Sequence, residues 1–233
     1  MKHLVILTGA GMSSESGIRT FRDSGGLWEE YKVEEVATPE AWYRNRDLVL
    51  RFYNERRQQL SRSEPNAGHS GVAALEKYFN VSIITQNIDN LHERAGSSKI
   101  LHLHGELTKA RSTKDPALIY DIGYKDIKPG DLCEKGSQLR PHIVWFGEAV
   151  PMMEEAVRIT SEADIFVVIG SSLAVYPAAG LLNYVPGHAS LWLIDPKDVA
   201  IPVSGKTQII REKASTGVKI LTEKLLSVYE LLP

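Results

Sequence analysis

Short apolar and β-branched runs recur along the chain: Leu4–Leu7, Val81–Thr85, Ile100–Leu103, Asp164–Ile169, Leu191–Ile194 and Gln208–Ile210 read as strands. Between them lie stretches with helical spacing. Thr38 with Pro39 marks a helix start, Thr38 as N-cap and Pro39 in the first position. Asp47–Leu60 and the segment up to Tyr78, with its apolar stripe Val72, Leu75, Tyr78 and Phe79, read as helices. Met152–Ala163 and Val218–Leu231 do the same. Strands alternating with helices predict an α/β fold with a doubly wound, parallel, Rossmann-like sheet. Residues 30–80 and 106–142 break this alternation and are expected to form a smaller domain. The larger one is then expected to comprise 1–29, 81–105 and 143–233.

Composition narrows the class. A chain of 233 residues, 43% hydrophobic, can bury a full core. Its 27 basic and 29 acidic residues leave a net charge of -2, so no general attraction to nucleic acid is expected. The single cysteine, Cys133, excludes an internal disulfide and fits a reducing compartment. Leu4–Leu7 is too short for a signal-peptide core, and Ile165–Ile169 falls well below a membrane span. A soluble, cytoplasmic protein without a membrane partner is expected; the sequence does not specify an oligomer.

Candidate chemistry gathers at strand ends, where open α/β sheets bind ligands. The Val81–Thr85 run breaks into Gln86, Asn87, Ile88 and Asp89, and the Ile100 run ends at His104-Gly105. Near the N-terminus, Gly9-Ala10-Gly11 follows a strand, with Ser13 and Ser14 placed to cap the next helix. A standard dinucleotide fingerprint needs a third glycine where Ser14 stands, and a second strand ending in an acid about 20 residues on. Gly17-Ile18-Arg19-Thr20-Phe21-Arg22 stands there instead, which argues against a dehydrogenase. Each feature has a plainer reading: a structural glycine turn, helix-capping Asn87 and Asp89, and a half-buried Tyr53 beside a solvated Arg56. His69 and His92 read as structural. His102 and His104, two apart on an extended strand, invite a metal, but no carboxylate or cysteine accompanies them in the sequence.

The blocks GAGMSSESGIRTFR, TQNIDNLH, LHGEL, VWFGE and GSSLAVYPAA occur in this order and together resemble the sirtuins, NAD-dependent protein-lysine deacylases. The resemblance runs from Gly9 to about Ala214. It implies NAD consumed as a co-substrate, with acyl-lysine proteins or peptides as partners. By it, Gly9, Ala10, Gly11, Ser13, Gly17, Ile18, Phe21, Arg22 and Trp28 belong to the cofactor site. Asn87 and Asp89, also counting as catalytic, hold its nicotinamide ribose and carboxamide, with Gln86 on the ribose side and Ile88 giving backbone and apolar contact. Gly170, Ser171, Ser172, Asp195, Pro196, Lys197 and Ala214 complete the cofactor site, although Asp195 replaces the family's usual asparagine. His104 becomes the general base, a role that suits an imidazole titrating near working pH. Val144, Phe146, Gly147, Glu148 and Val175 line the acyl-lysine cleft, with backbone groups near Val144, Gly147 and Glu148 pairing with the substrate as an added strand.

Two features set this chain apart within the resemblance. Tyr53 and Arg56, with small Ala37, resemble the acyl pocket of sirtuins that remove succinyl, malonyl or glutaryl groups. The expected reaction is therefore desuccinylation and demalonylation, with weaker deacetylation, releasing nicotinamide and O-acyl-ADP-ribose. Between 106 and 139, where sirtuins usually carry four zinc-binding cysteines, only Cys133 is present and Ser112 stands at the first expected ligand. No zinc is expected. ADP-ribosyl transfer and a non-catalytic NAD- or ADP-ribose-binding module remain as alternatives.

Overall fold

A computed structural model describes residues 1–20, 30–199 and 207–230. Phe21, Arg22 and Trp28, expected at the cofactor, lie outside the described residues.

Strands β1 (His3–Thr8), β2 (Asn80–Thr85) and β3 (Ile100–His102) run parallel, as do β7 (Ile165–Ile169), β8 (Ser190–Ile194) and β9 (Thr207–Ile210). They form one six-stranded sheet in the order β3-β2-β1-β7-β8-β9. In β1, four consecutive side chains, Leu4 to Leu7, are fully buried. Strand side chains alternate between faces, so Leu4 and Ile6 join one core while Val5 and Leu7 join the other. Burying each contributes about 1.5–3 kcal/mol, which is why this run takes the centre of a sheet covered on both sides.

The first face is covered by α5 (Ala67–Ala74) and α8 (Ala214–Val228), through Val72 and Leu75 against Val218, Leu221 and Leu225. The segment from Asn66 to Phe79, expected in the smaller domain, thus packs on the large sheet. Its helix is short because it opens on Gly68 and Gly71 and passes into a 3-10 turn at Leu75. The second face is covered by α7 (Met153–Ser161) and a 3-10 helix over Ala178–Tyr184.

A third core surrounds α4 (Arg46–Arg62), which follows α2 (Val33–Val36) and α3 (Pro39–Arg44). Thr38 caps α3 as expected, its side chain accepting from Ala41 N at 3.1 Å. Val49, Phe52, Tyr53 and Leu60 of α4 pack against β4 (Gly105–Ser112) and β6 (Leu139–Ile143). With β5 (Ile119–Asp121), these make a small antiparallel sheet, ordered β5-β4-β6. No described helix is long and apolar enough to cross a membrane.

Candidate active site

The sheet reverses direction of growth between β1 and β7: the chain builds β2 and β3 on one side, then β8 and β9 on the other. Such a switch point opens a crevice at the carboxyl ends of the two central strands. Here the turns that follow them are locked together, Gly9 N donating to Ile169 O (3.0 Å) and Gly11 N to Gly170 O (2.9 Å). Gly170 has a positive φ of 59°, and a Cβ there would sit 2.5 Å from backbone atoms of Gly11 and Met12. Only glycine allows this approach.

The helix after β1, α1 (Ala10–Ser13), begins earlier than the serine pattern suggests, with Gly9 at its N-cap and no side-chain cap. Ser13 and Ser14 are therefore not caps. Ser13 Oγ donates to Asp89 Oδ2 at 2.9 Å, and Ser14 Oγ to Gly11 O at 2.9 Å.

The turn after β2 is held at three consecutive carbonyls. His104 Nδ1 meets Gln86 O at 3.0 Å, His102 Nδ1 meets Asn87 O at 3.2 Å, and Leu107 N donates to Ile88 O at 2.8 Å. Its side chains are fixed as well. Gln86 Nε2 donates to Ser171 Oγ (2.8 Å), and Asn87 Nδ2 donates to Gly9 O (3.0 Å) and Ser13 Oγ (3.1 Å). The Asn87 amide is thereby assigned with Oδ1 as the polar atom left to meet a ligand. Burial pushes the Asp89 carboxyl up, although Leu91 N and Ser13 Oγ both donate to it.

Because Gln86 O can only accept, the His104 Nδ1 at its side must donate, which leaves Nε2 as the basic nitrogen of a neutral ring. Burial lowers the His104 pKa below the ordinary 6.5, against the opposing effect of the Gln86 carbonyl. His104 itself lies just past the end of β3, and Gly105, with φ of 80°, turns the chain into β4. The extended strand expected to carry both His102 and His104 ends at His102, and their rings hold different carbonyls. The carboxylate that the sequence did not reveal is Glu93, 2.7 Å from His102 Nε2. Among the described residues, no group of three or more His, Cys, Asp or Glu comes together to hold a metal.

One cavity of about 540 Å³ joins these turns to α4. At its far end Tyr53 is buried, and Trp145 Nε1 donates to its hydroxyl at 3.0 Å. Arg56, one turn on along α4, lies over the Phe52 ring at 4.9 Å. Its Nε and Nη1 are buried and have no hydrogen-bond partner among the described residues. Burial lowers its pKa, offset in part by Glu55, whose carboxylate is 3.8 Å from Nη2.

The model of the Sir2 family matches residues 9–177. The chain belongs to the Sir2 family. It is 59% identical over 234 residues to an NAD-dependent protein deacylase of Bacteroides thetaiotaomicron, covering 97% of this chain and 99% of that one. It is 52% identical over 228 residues to an NAD-dependent protein deacylase of Helicobacter pylori, covering 98% and 99%. Among solved structures it is similar to a Sir2 homologue mutant in complex with ADP-ribose, with a TM-score of 0.90 and 37% identity over 100% of this chain and 95% of that one. A Sir2 homologue–NAD complex gives 0.86 and 37%, covering 97% and 90%.

In this Sir2 chain every described residue named above for the cofactor or acyl-lysine lines the one cavity, except Gly17. Gly17 ends the 3-10 turn Ser14–Ser16 with a φ of 82°, and its carbonyl accepts from Gln59 Nε2 at 2.9 Å. It faces a separate groove along the outer side of α4. Asp195 is buried beside the cavity and accepts from Lys197 N at 2.8 Å. In the segment expected to bind acyl-lysine, the amides of Val144, Phe146 and Glu148 already donate to His104 O, Ala37 O and Trp145 O. A strand added here has carbonyls to pair with rather than those N–H groups. The Glu148 carboxylate is taken by Arg140 (2.7 and 3.0 Å), Arg111 (3.2 Å) and Trp145 N (2.8 Å).

Trp145, just past the end of β6, was not among the expected site residues although it stands inside VWFGE; a buried tryptophan carries no sign of whom its N–H will meet. Arg140 and Arg111, which hold Glu148, gave no signal either.

Proposed function

We propose that this chain is an NAD-dependent protein-lysine deacylase that prefers succinyl and malonyl groups to acetyl. The observation that carries the acyl preference is Arg56: a buried guanidinium whose Nε and Nη1 have no partner among the described residues, in the cavity that also holds His104. Burying such a group unpaired is costly. A carboxylate at the end of an acyl chain matches it through charge-assisted bonds that a neutral acetyl group cannot make. Tyr53 adds an O–H donor, and small Ala37 leaves room.

NAD fits the remainder of the cavity. The interlocked glycine turns after β1 and β7 bring backbone close to a ligand, as a pyrophosphate site requires, and Ser171, Asp195 and Ala214 extend that wall. When bound, NAD supplies the reactive ribose carbon and nicotinamide as leaving group. Asn87 and Asp89 orient the nicotinamide end. His104 Nε2, on a ring that burial keeps neutral, takes the proton of a ribose hydroxyl. Nε2 is the nitrogen that takes it because Nδ1 already carries the hydrogen donated to Gln86 O. The Val144–Glu148 segment, whose Val144, Phe146 and Glu148 amides are already bonded within the protein, lays the substrate backbone along its carbonyls. The residues 30–65 and 106–142 form the smaller domain over this cleft.

Nicotinamide release from NAD with matched succinyl-, malonyl- and acetyl-lysine peptides tests the reading. Faster turnover of the acidic acyl groups is expected, with His104→Ala abolishing turnover while NAD binding persists. Preference for acetyl would return Arg56 to a structural role. Transfer of ADP-ribose to a protein acceptor, seen as an adduct mass, would replace deacylation altogether.

A further inference from the structure

His102 stands outside the cavity, yet it holds the turn that carries Asn87. Its Nδ1 faces Asn87 O at 3.2 Å and its Nε2 faces Glu93 Oε1 at 2.7 Å. A carbonyl and a carboxylate oxygen both accept, and neither has a hydrogen to give. A neutral imidazole owns one N–H, so it would leave a lone pair pointing at one of them. Only an imidazolium donates to both. We propose that His102 is a positioning residue that works as an imidazolium, tying Glu93 of α6 (Leu91–Arg94) to Asn87 O and so fixing the Gln86–Asp89 turn for the nicotinamide end of NAD.

The surroundings favour this charge. Facing His102 are Glu93 from α6, Glu106 from β4 and Asp89 from the turn it holds; His92, which burial keeps neutral, sets no cation against it. Lys109 pairs with Glu106 at 2.6 Å and also acts on Glu93. Burial pushes the His102 pKa down, but the Glu93 bond and charge outweigh it and hold it above 6.5. The two histidines on neighbouring carbonyls thus work in opposite states: His104 neutral, as the base, and His102 charged, as the clamp. NAD use is then limited on the acid side by protonation of His104 and on the alkaline side by deprotonation of His102.

The role in turnover rests on the deacylase reading; the charge and its effect on NAD binding do not. Nitrogen-15 spectra of the histidine rings in the full chain decide the charge, with the His102 signals identified by their loss in His102→Gln. Both ring nitrogens are expected to be protonated at neutral pH and to titrate above 6.5, and Glu93→Gln should lower that midpoint. Affinity for NAD, measured by calorimetry across pH, reads the clamp. It should weaken roughly tenfold at neutral pH in His102→Gln, and its alkaline decline should move to lower pH in Glu93→Gln. In the steady state the KM for NAD should rise more than kcat falls. A bare nitrogen on His102 at neutral pH, or an alkaline decline unmoved by Glu93→Gln, overturns the proposal. NAD binding with the expected pH profile but no nicotinamide release would uphold it and remove the deacylase reading instead.

Discussion

Trp145 Nε1 donates to the hydroxyl oxygen of Tyr53 at 3.0 Å, and this one bond sets what Tyr53 can do. An indole N–H is a donor only, so the phenol accepts and keeps its own proton for a second partner. Burial pushes the Tyr53 pKa up, which keeps the phenol protonated at any working pH. Trp145 is itself fixed: the Arg140 guanidinium lies 3.3 Å from its ring centroid, and its amide and Arg140 share Glu148. Tyr53 is thus presented to the cavity as a donor by Trp145, which lines the same cavity.

Trp145→Phe tests that arrangement, since it keeps a ring under Arg140 and removes the N–H. A hydrogen bond between neutral groups contributes about 0.5–1.5 kcal/mol, so kcat/KM for a succinyl-lysine peptide should fall about two- to tenfold while that for the acetyl peptide holds. A parallel loss with both peptides would mean that Trp145 shapes the cleft without orienting Tyr53.

Arg56→Ala should be far more selective. A hydrogen bond to a charged group is worth about 1.5–3 kcal/mol, or about ten- to a few hundred-fold at 1.4 kcal/mol per decade. Desuccinylation should drop by that factor and deacetylation should stay close to its starting rate. The variant should also gain some stability, because an unsatisfied buried guanidinium is removed. Equal loss of both activities would defeat the carboxylate assignment.

These side chains mark the boundary of what sequence can convey. The parallel sheet was legible because strands such as Ile165–Ile169 are apolar, bounded and alternate with helices, which leaves few other topologies. Asn87, Asp89 and His104 were legible as strand-end polar residues within ordered blocks. Partnerships between distant side chains were not. Nothing local in Trp145 announces Tyr53, 92 positions away. Nor does His102 announce Glu93, because the helix that carries it folds back only when β2 and β3 pair. Helix ends failed for a related reason: Ser13 looks like a cap until Asp89 arrives to take its hydroxyl.

His69 predicts an acid sensitivity opposite in sense to that of His102. Asn66 N donates to His69 Nδ1 (3.3 Å), so the ring must be neutral to accept. Burial lowers its pKa to about 4. Between the unfolded value near 6.5 and about 4, the unfolded chain binds the proton and the folded one does not, so stability falls as pH drops through that window. At 1.4 kcal/mol per unit the loss is of order 3 kcal/mol. Glutamine at this position of a helix also completes a capping box. His69→Gln should therefore keep the α5 cap and flatten the decline in Tm between pH 6.5 and 4. An unchanged slope would place the sensitivity elsewhere.

The small antiparallel sheet should owe its closure to hydroxyls. Ser112 Oγ sits 2.7 Å from Ser137 Oγ, accepts from Cys133 Sγ at 3.5 Å, and also accepts from Lys114 N and Asp115 N at 3.2 and 3.0 Å. It joins the turn after β4 to the Cys133–Ser137 turn, and both serines are buried. Ser112→Ala leaves two backbone amides short of a partner, at a cost of about 1–3 kcal/mol, while Ser137 Oγ keeps Cys133 Sγ at 3.1 Å. The exposed Lys135–Asp115 pair joins the same turns at 2.7 Å, but such pairs contribute about 0–1 kcal/mol. Hydrogen exchange should therefore quicken across residues 112–139 in Ser112→Ala, well ahead of the parallel sheet, and barely change in Lys135→Ala. Chelator-washed wild type should keep its Tm and contain no stoichiometric zinc. A chelator-dependent Tm would show that a metal, rather than the serine contacts, holds the two turns together.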